Sequence, residues 1–234
     1  MVTTFSPHRI SAGIRHAEIE GARVILDLNT TSYRILDHIG SAMWSVLLGE
    51  RTQVDVLTEL TRIYDAPLPV LERDLERFGH RCVKEHLLLS PLDVPRLITP
   101  EPKSDAPRRA FGWHWLEALR SLVVTNRRIA REGLRPVYER YASLPVGAPR
   151  LTFPKAVAAF RAAENMYVSS RAPDDCLARS LSLYRYLRSA GFPVEHVIAV
   201  RRIPFRAHAW VECEREIILD RPLDGYVPLA RLGA

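Results

Sequence analysis

Several features that sort a 234-residue chain quickly are missing here. No apolar run approaches the roughly 18 residues of a membrane span. The opening MVTTFSPHRISAG lacks the charged-then-apolar layout of an export signal. A cytoplasmic protein with no membrane partner is therefore expected. Cysteine is scarce: Cys82, Cys176 and Cys213 are widely spaced and odd in number, which excludes a disulfide framework. No CxxC or HxxxH spacing occurs, so neither zinc nor another metal is expected. No glycine-rich phosphate loop is present, so ATP is not expected to bind this chain. Lysine is confined to Lys84, Lys103 and Lys155, leaving arginine to carry the basic charge.

That charge is unevenly placed. Residues 1–97 hold 11 Lys and Arg against 13 Asp and Glu, a net of −2; residues 98–234 hold 22 against 14, a net of +8. A nucleic-acid surface needs a basic face, and the acidic first part is a poor start for one. The arginine of the second part suits carboxylate-bearing partners, or reflects base composition alone.

Proline supplies the punctuation. SPLDVPRLITPEPKSDAPRR has no helical period, and its prolines block both helix continuation and sheet pairing. It divides the chain into residues 1–92, a linker at 93–109, and residues 110–234. In the first part RISAGIRHAE, ARVILDL and NTTSYRIL read as strands, with Tyr33 and Ile35 sharing a face. Three helical patterns follow: HIGSAMWSVLLG, closed by Gly49; TQVDVLTELTRIY, with Val56, Leu60 and Ile63 in phase; and PLPVLERDLERFGHRCV, with Leu71, Leu75 and Phe78 in phase. A β-ribbon with three helices is the layout of a winged helix. In the second part, FGWHWLEALRSLVVTNRRIAREG reads as a helix with Leu116, Leu119, Val123 and Ile129 inward. PKAVAAFRAAENMYV is another, and DDCLARSLSLYRYLRSAG a third, closed by Gly191. PVEHVIAVRRI, RAHAWVEC and EIILD then read as strands, making the whole chain α+β.

The chemistry lies in this last stretch. Cys176 opens a helix, His208 follows 32 residues later in a strand, and Asp220 comes 12 residues after that at the end of the next strand. A thiol becomes a nucleophile when a base takes its proton, and the base needs an orienting group to fix its tautomer. The order Cys, His, Asp on a helix start and two strands is that of a papain-like or transglutaminase-like site. At a helix start the thiolate gains from the positive end of the dipole, and unpaired N–H groups can receive an oxyanion. Asp174 or Asp175 can cap that helix. Cys82 and Cys213 have no such setting and read as structural. His196 also lies in a strand, but no carboxylate ends a neighbouring strand beside it. Trp210, two residues beyond His208, shares its strand face and can shield it from water. One condition attaches. A plain two-residue turn at Glu214-Arg215 would set 209 opposite 220 and put His208 and Asp220 on opposite faces. A bulge, an odd loop or a bend near the strand end is therefore expected.

The stretches DCLARSLSLYRYLRSAGFPVEHVIAVRRIPFRAHAWVEC and EIILDRPLDGYVPLARL resemble the transglutaminase-like leader peptidase of lasso-peptide biosynthesis, the B protein. ARVILDLNTTSYRIL with its three helices is similar to the small recognition element of peptide-modifying systems and to a chaperone-like protein of redox-cofactor biosynthesis. The resemblance implies a cysteine endopeptidase fused to a winged-helix-like leader-binding domain, with Cys176, His208 and Asp220 as its triad. It implies that a precursor's leader adds a strand at Ser32, Tyr33, Arg34 and Ile35, and packs on the helix carrying Val70, Leu71, Asp74 and Phe78. It implies a partner cyclase that uses the ATP; the peptidase itself needs no cofactor. The same triad would also serve a transamidase, and the first domain a non-catalytic peptide chaperone or a DNA-binding regulator.

Overall fold

A computed structural model describes residues 7–90, 114–167, 176–220 and 224–233. The linker at 93–109 and the capping pair Asp174 and Asp175 lie outside them. The chain forms two compact units, Met1–Thr99 and Pro100–Ala234.

In the first unit the strands β2 (Ile14–Ile19), β3 (Ala22–Asp27) and β4 (Ser32–Leu36) form an antiparallel meander in the order β2-β3-β4, so β4 is an edge. The run RISAGIRHAE is not one strand. It breaks at Ser11, and its start, β1 (Arg9–Ile10), pairs instead with β5 (Leu88–Leu89) after the helices. The helices are α1 (His38–Leu47), α2 (Gln53–Tyr64) and α3 (Leu68–Lys84). Local chemistry starts the first two: Asp37 accepts from the Gly40 N–H and Thr52 from the Asp55 N–H. Alternation sends Ile14, Ile25 and Leu36 to one sheet face, where they meet Trp44, Leu60 and Leu75 in a shared core. Ile63, expected inward, is exposed; Leu57 takes its place in that core. Arg23 is buried, and its guanidinium reaches Glu50 at 3.0 Å and Glu18 at 3.2 Å, which satisfies its charge.

In the second unit α4 (His114–Glu132), α5 (Leu134–Ala142), α6 (Phe153–Met166) and α7 (Cys176–Ser189) precede a sheet of β6 (Glu195–Arg201), β7 (Arg206–Cys213), β8 (Glu216–Ile218) and β9 (Val227–Leu232). The order is β8-β7-β6-β9, all antiparallel. The sequence pattern misplaces the inner face of α4. Ala118, Ser121, Leu122 and Thr125 are buried, while Leu116, Leu119, Val123 and Ile129 are only half-buried. Small and hydroxyl side chains let the helices approach closely and bond across: Ser121 donates to the Ser182 carbonyl at 2.8 Å, and Thr125 pairs with the Tyr141 hydroxyl at 2.9 Å. Two elements escape the pattern. α5 is short and carries Pro136 in its first turn, where proline is tolerated. β9 carries Pro228, which sits on an edge strand that needs no outward donor. Gly191 closes α7 with φ +94°, and a Cβ there would meet the backbone of residues 147–149 at 2.6 Å.

Candidate active site

The helix α7 packs on β7, and this contact sets the scene for the chemistry. Cys176 is the first residue of α7 and is partly exposed. The two faces of β7 have different work. Ala209 and Val211 belong to the face of His196, which is fully buried and lies 2.9 Å from Ser180 Oγ on α7. His208 and Trp210 belong to the other face, beside Ala199 and Val197.

The hairpin problem posed by the sequence is solved after the turn. Cys213 faces Glu216, Glu212 faces Ile217 and Val211 faces Ile218, so the Glu214-Arg215 loop is a regular two-residue turn. Both loop residues have positive φ, 50° and 68°, the primed turn that matches strand twist. Continued, this register would aim Asp220 away from His208. Instead β8 stops at Ile218, and Leu219 takes φ 57° in the left-handed region. That bend rotates Asp220 onto the imidazole: His208 Nε2 lies 2.8 Å from Asp220 Oδ2. Nε2–H donates to the carboxylate, which leaves Nδ1 as the nitrogen able to take a proton.

The imidazole is shielded as its strand position suggests. Trp210 is 5% exposed, lies with its ring 6.1 Å from that of His208, and donates from Nε1 to Glu212 at 2.7 Å. Tyr226 sets its edge against both rings. The carboxylate has a second neighbour that sequence reasoning missed. Arg179, one turn into α7, lies 3.9 Å from Asp220 Oδ2 and donates to the Leu219 carbonyl at 3.2 Å. Its Nε donates to Glu164 of α6, and Nη2 reaches the other oxygen of that carboxylate at 3.2 Å. Burial opposes the Arg179 charge, but Glu164, Asp220 and Cys176 outweigh it and hold the guanidinium protonated. Cys176 is thus within electrostatic reach of the group that touches Asp220. The arginine stands in the stretch CLARSL, three residues after the cysteine, so its position on the same helix face was legible; its partners were not.

The other two thiols differ. Burial, aided by Glu85, pushes Cys82 up to about 11. Burial together with Glu214 and Glu216 raises Cys213. None of the three is in a disulfide, and among the described residues no group of three or more His, Cys, Asp or Glu is placed to hold a metal.

Residues 115–231, half of the chain, match the family model described as the transglutaminase-like superfamily. The chain belongs to the transglutaminase-like superfamily. Residues 22–88 match a second model, coenzyme PQQ synthesis protein D. The two matches in this order bear out the likeness to a lasso-peptide B protein fused to a leader-recognition element. Among solved structures, "TbiB1 in Complex with the TbiA(beta) Leader Peptide" is 30% identical, covers 36% of this chain and 99% of that one, and superposes with a TM-score of 0.31. No curated protein matches the chain.

In this member of the superfamily the leader-binding residues expected from sequence fall in two places. Ser32, Tyr33, Arg34 and Ile35 lie on the edge strand β4. Tyr33 and Ile35 share a face with Leu26 and Val24, opposite the helices, whereas Arg34 points the other way and pairs with Glu85 at 2.5 Å. At 100° per residue, Val70, Asp74 and Phe78 share the α3 stripe that leads to Glu85. Glu85, just past the end of α3, is tied to β4 through Arg34. Leu71 does not belong with them. It is 6% exposed and packs in the core, a consequence of sitting one position round the helix from Val70. No helix among the described residues is long and apolar enough to cross a membrane.

Proposed function

We propose that the protein is a cysteine leader peptidase of lasso-peptide maturation. The PqqD-like unit holds the leader of a ribosomal precursor, and the transglutaminase-like unit hydrolyses the leader–core bond. The observation that carries this reading is the 2.8 Å bond from His208 to Asp220, formed by a bend at Leu219, in a unit whose helix α7 opens with Cys176.

In this mechanism His208 Nδ1 takes the Cys176 proton, and Sγ attacks the scissile carbonyl. Asp220 steadies the imidazolium through Nε2–H. First-turn N–H groups of α7 receive the oxyanion. Collapse of the tetrahedral adduct breaks the C–N bond, and the imidazolium protonates the leaving amine. The acyl group then rests on sulfur as a thioester. Water, deprotonated by His208, attacks it and releases the acid. The chain needs no cofactor for these steps, and ATP use falls to a partner cyclase.

Leader capture uses the backbone of β4 as a template for an added strand, with side chains received by the Val70–Asp74–Phe78 stripe. The test is mass spectrometry of the precursor after incubation with the wild type and with Cys176→Ala. Fragments whose summed mass exceeds the precursor by one water are expected from the wild type alone. Release of the leader by C176A would overturn the assignment, and a product lacking the added water would mark a transamidase.

A further inference from the structure

We infer that Arg179 is the positioning residue of this site: its planar fork holds the bend that delivers Asp220 to His208, while its charge favours the ionised form of Cys176. The inference rests on the thiol-site reading above and deepens it.

Leu219 is a branched residue at φ 57°, a conformation that persists only where its surroundings impose it. β8 has ended, so no ladder bond continues to hold the backbone at that point. Among the described residues the Arg179 side chain donates to the Leu219 carbonyl and so holds it. A guanidinium suits the task because its donors diverge in a plane. Two of them are spent on Glu164, which anchors the side chain to α6. The same Nη2 that shares this anchor bonds Leu219, and Nη1 is left turned toward Asp220 at 3.9 Å. Lysine could supply the charge here but not the fork.

The charge has its own role. The groups joined around Arg179 are Glu164 from α6, Asp220 from the segment after β8 and, through Asp220, His208 from β7. Tyr226 sets its edge against His208, and Arg201 lies over Tyr226. Arg179 lies about one turn beyond Cys176 on α7, and two carboxylates share its guanidinium. The attraction between its cation and a negative Cys176 is reciprocal, so a cation one turn along the same helix favours the thiolate.

Two substitutions separate the fork from the charge. Arg179→Lys keeps the cation and loses the fork; Arg179→Met loses both. Two readouts are taken on the full chain without any peptide. The first is the pH dependence of Cys176 alkylation by iodoacetamide, a small neutral reagent. The second is the proton NMR of the His208 ring, in which the Nε2–H bonded to a carboxylate resonates far downfield. R179K is expected to keep the wild-type alkylation midpoint and to lose or broaden the downfield proton. R179M is expected to lose the proton and to move the midpoint up by about one pH unit or more. Arg140→Met, which removes an exposed arginine of α5 paired with Glu132, controls for the loss of an arginine as such and should keep both the downfield proton and the midpoint. A downfield proton unchanged in R179M, with an unchanged midpoint, would overturn the inference while leaving the peptidase reading intact. A wild type with no His208-dependent alkylation at all would remove the reading beneath it.

Discussion

Substituting His208 by glutamine tests the thiol site without knowledge of any substrate. An ordinary thiol is about 0.3% ionised at pH 6. Cys82, pushed up to about 11, is ionised there in roughly one molecule per hundred thousand. Cys213 is held protonated by burial and by Glu214 and Glu216. A sulfur at a helix start stabilised by an adjacent imidazolium can be largely thiolate at this pH. Losing the imidazole returns Cys176 to ordinary ionisation, a fall of roughly 300-fold in thiolate. A thiolate of lower basicity is also a weaker nucleophile, with a Brønsted slope of about 0.4–0.5. For a thiolate that stays ionised down to pH 6, the two effects leave a net fall of roughly five- to tenfold in rate. The assay is iodoacetamide at pH 6, followed by intact mass for stoichiometry and peptide mapping for position. One label per chain, on Cys176, is expected in the wild type, with a rate that stays level as pH falls from 7.5 to 6. In H208Q the rate should fall tenfold per pH unit. Equal labelling of Cys176 in both proteins, or a wild-type Cys176 no faster than Cys213, would refute the ion-pair argument.

Three further outcomes follow from the same geometry. His196 is fully buried, and burial pushes it down to about 3, so the unfolded chain takes up a proton below pH 6.5 that the folded chain refuses. Stability is then present above 6.5 and falls as pH drops, by about 2 kcal/mol between pH 7 and pH 5; urea melts of the double variant Ser180→Ala, His196→Leu should show a shallower acid loss than the wild type. The turn residues Glu214 and Arg215 both sit at positive φ, so Glu214→Asn with Arg215→Gly should raise stability by about 1–2 kcal/mol, read as an upward shift in Tm. Val70 is 43% exposed on α3, and Val70→Glu should weaken binding of the precursor's leader about tenfold or more in fluorescence anisotropy without changing Tm.

The sequence was most informative where chemistry and local geometry coincide. The second and third helices of the first unit have periods that the chain itself spells out, in the Val56–Leu60 and Leu71–Leu75 pairs. Cys176, His208 and Asp220 were legible as residue types in an order, because a nucleophile, a base and an orienter need those types and because each stood at an element boundary. The inner face of α4 was not legible. Burial there follows close packing through Ser121 and Thr125, which no hydrophobic count selects. α5 and β9 were hidden by prolines that are harmless only because of where the tertiary fold places them.

By itself, then, the chain determined which atoms could do chemistry and which stretches could be helix or strand, since both depend on residues near in sequence. Alternation could even show that a plain hairpin would part His208 from Asp220. It could not show how they meet. That was decided by Leu219 turning left-handed past the end of β8 and by Arg179 of another element holding its carbonyl, because a strained backbone is kept only by contacts that come from far along the chain.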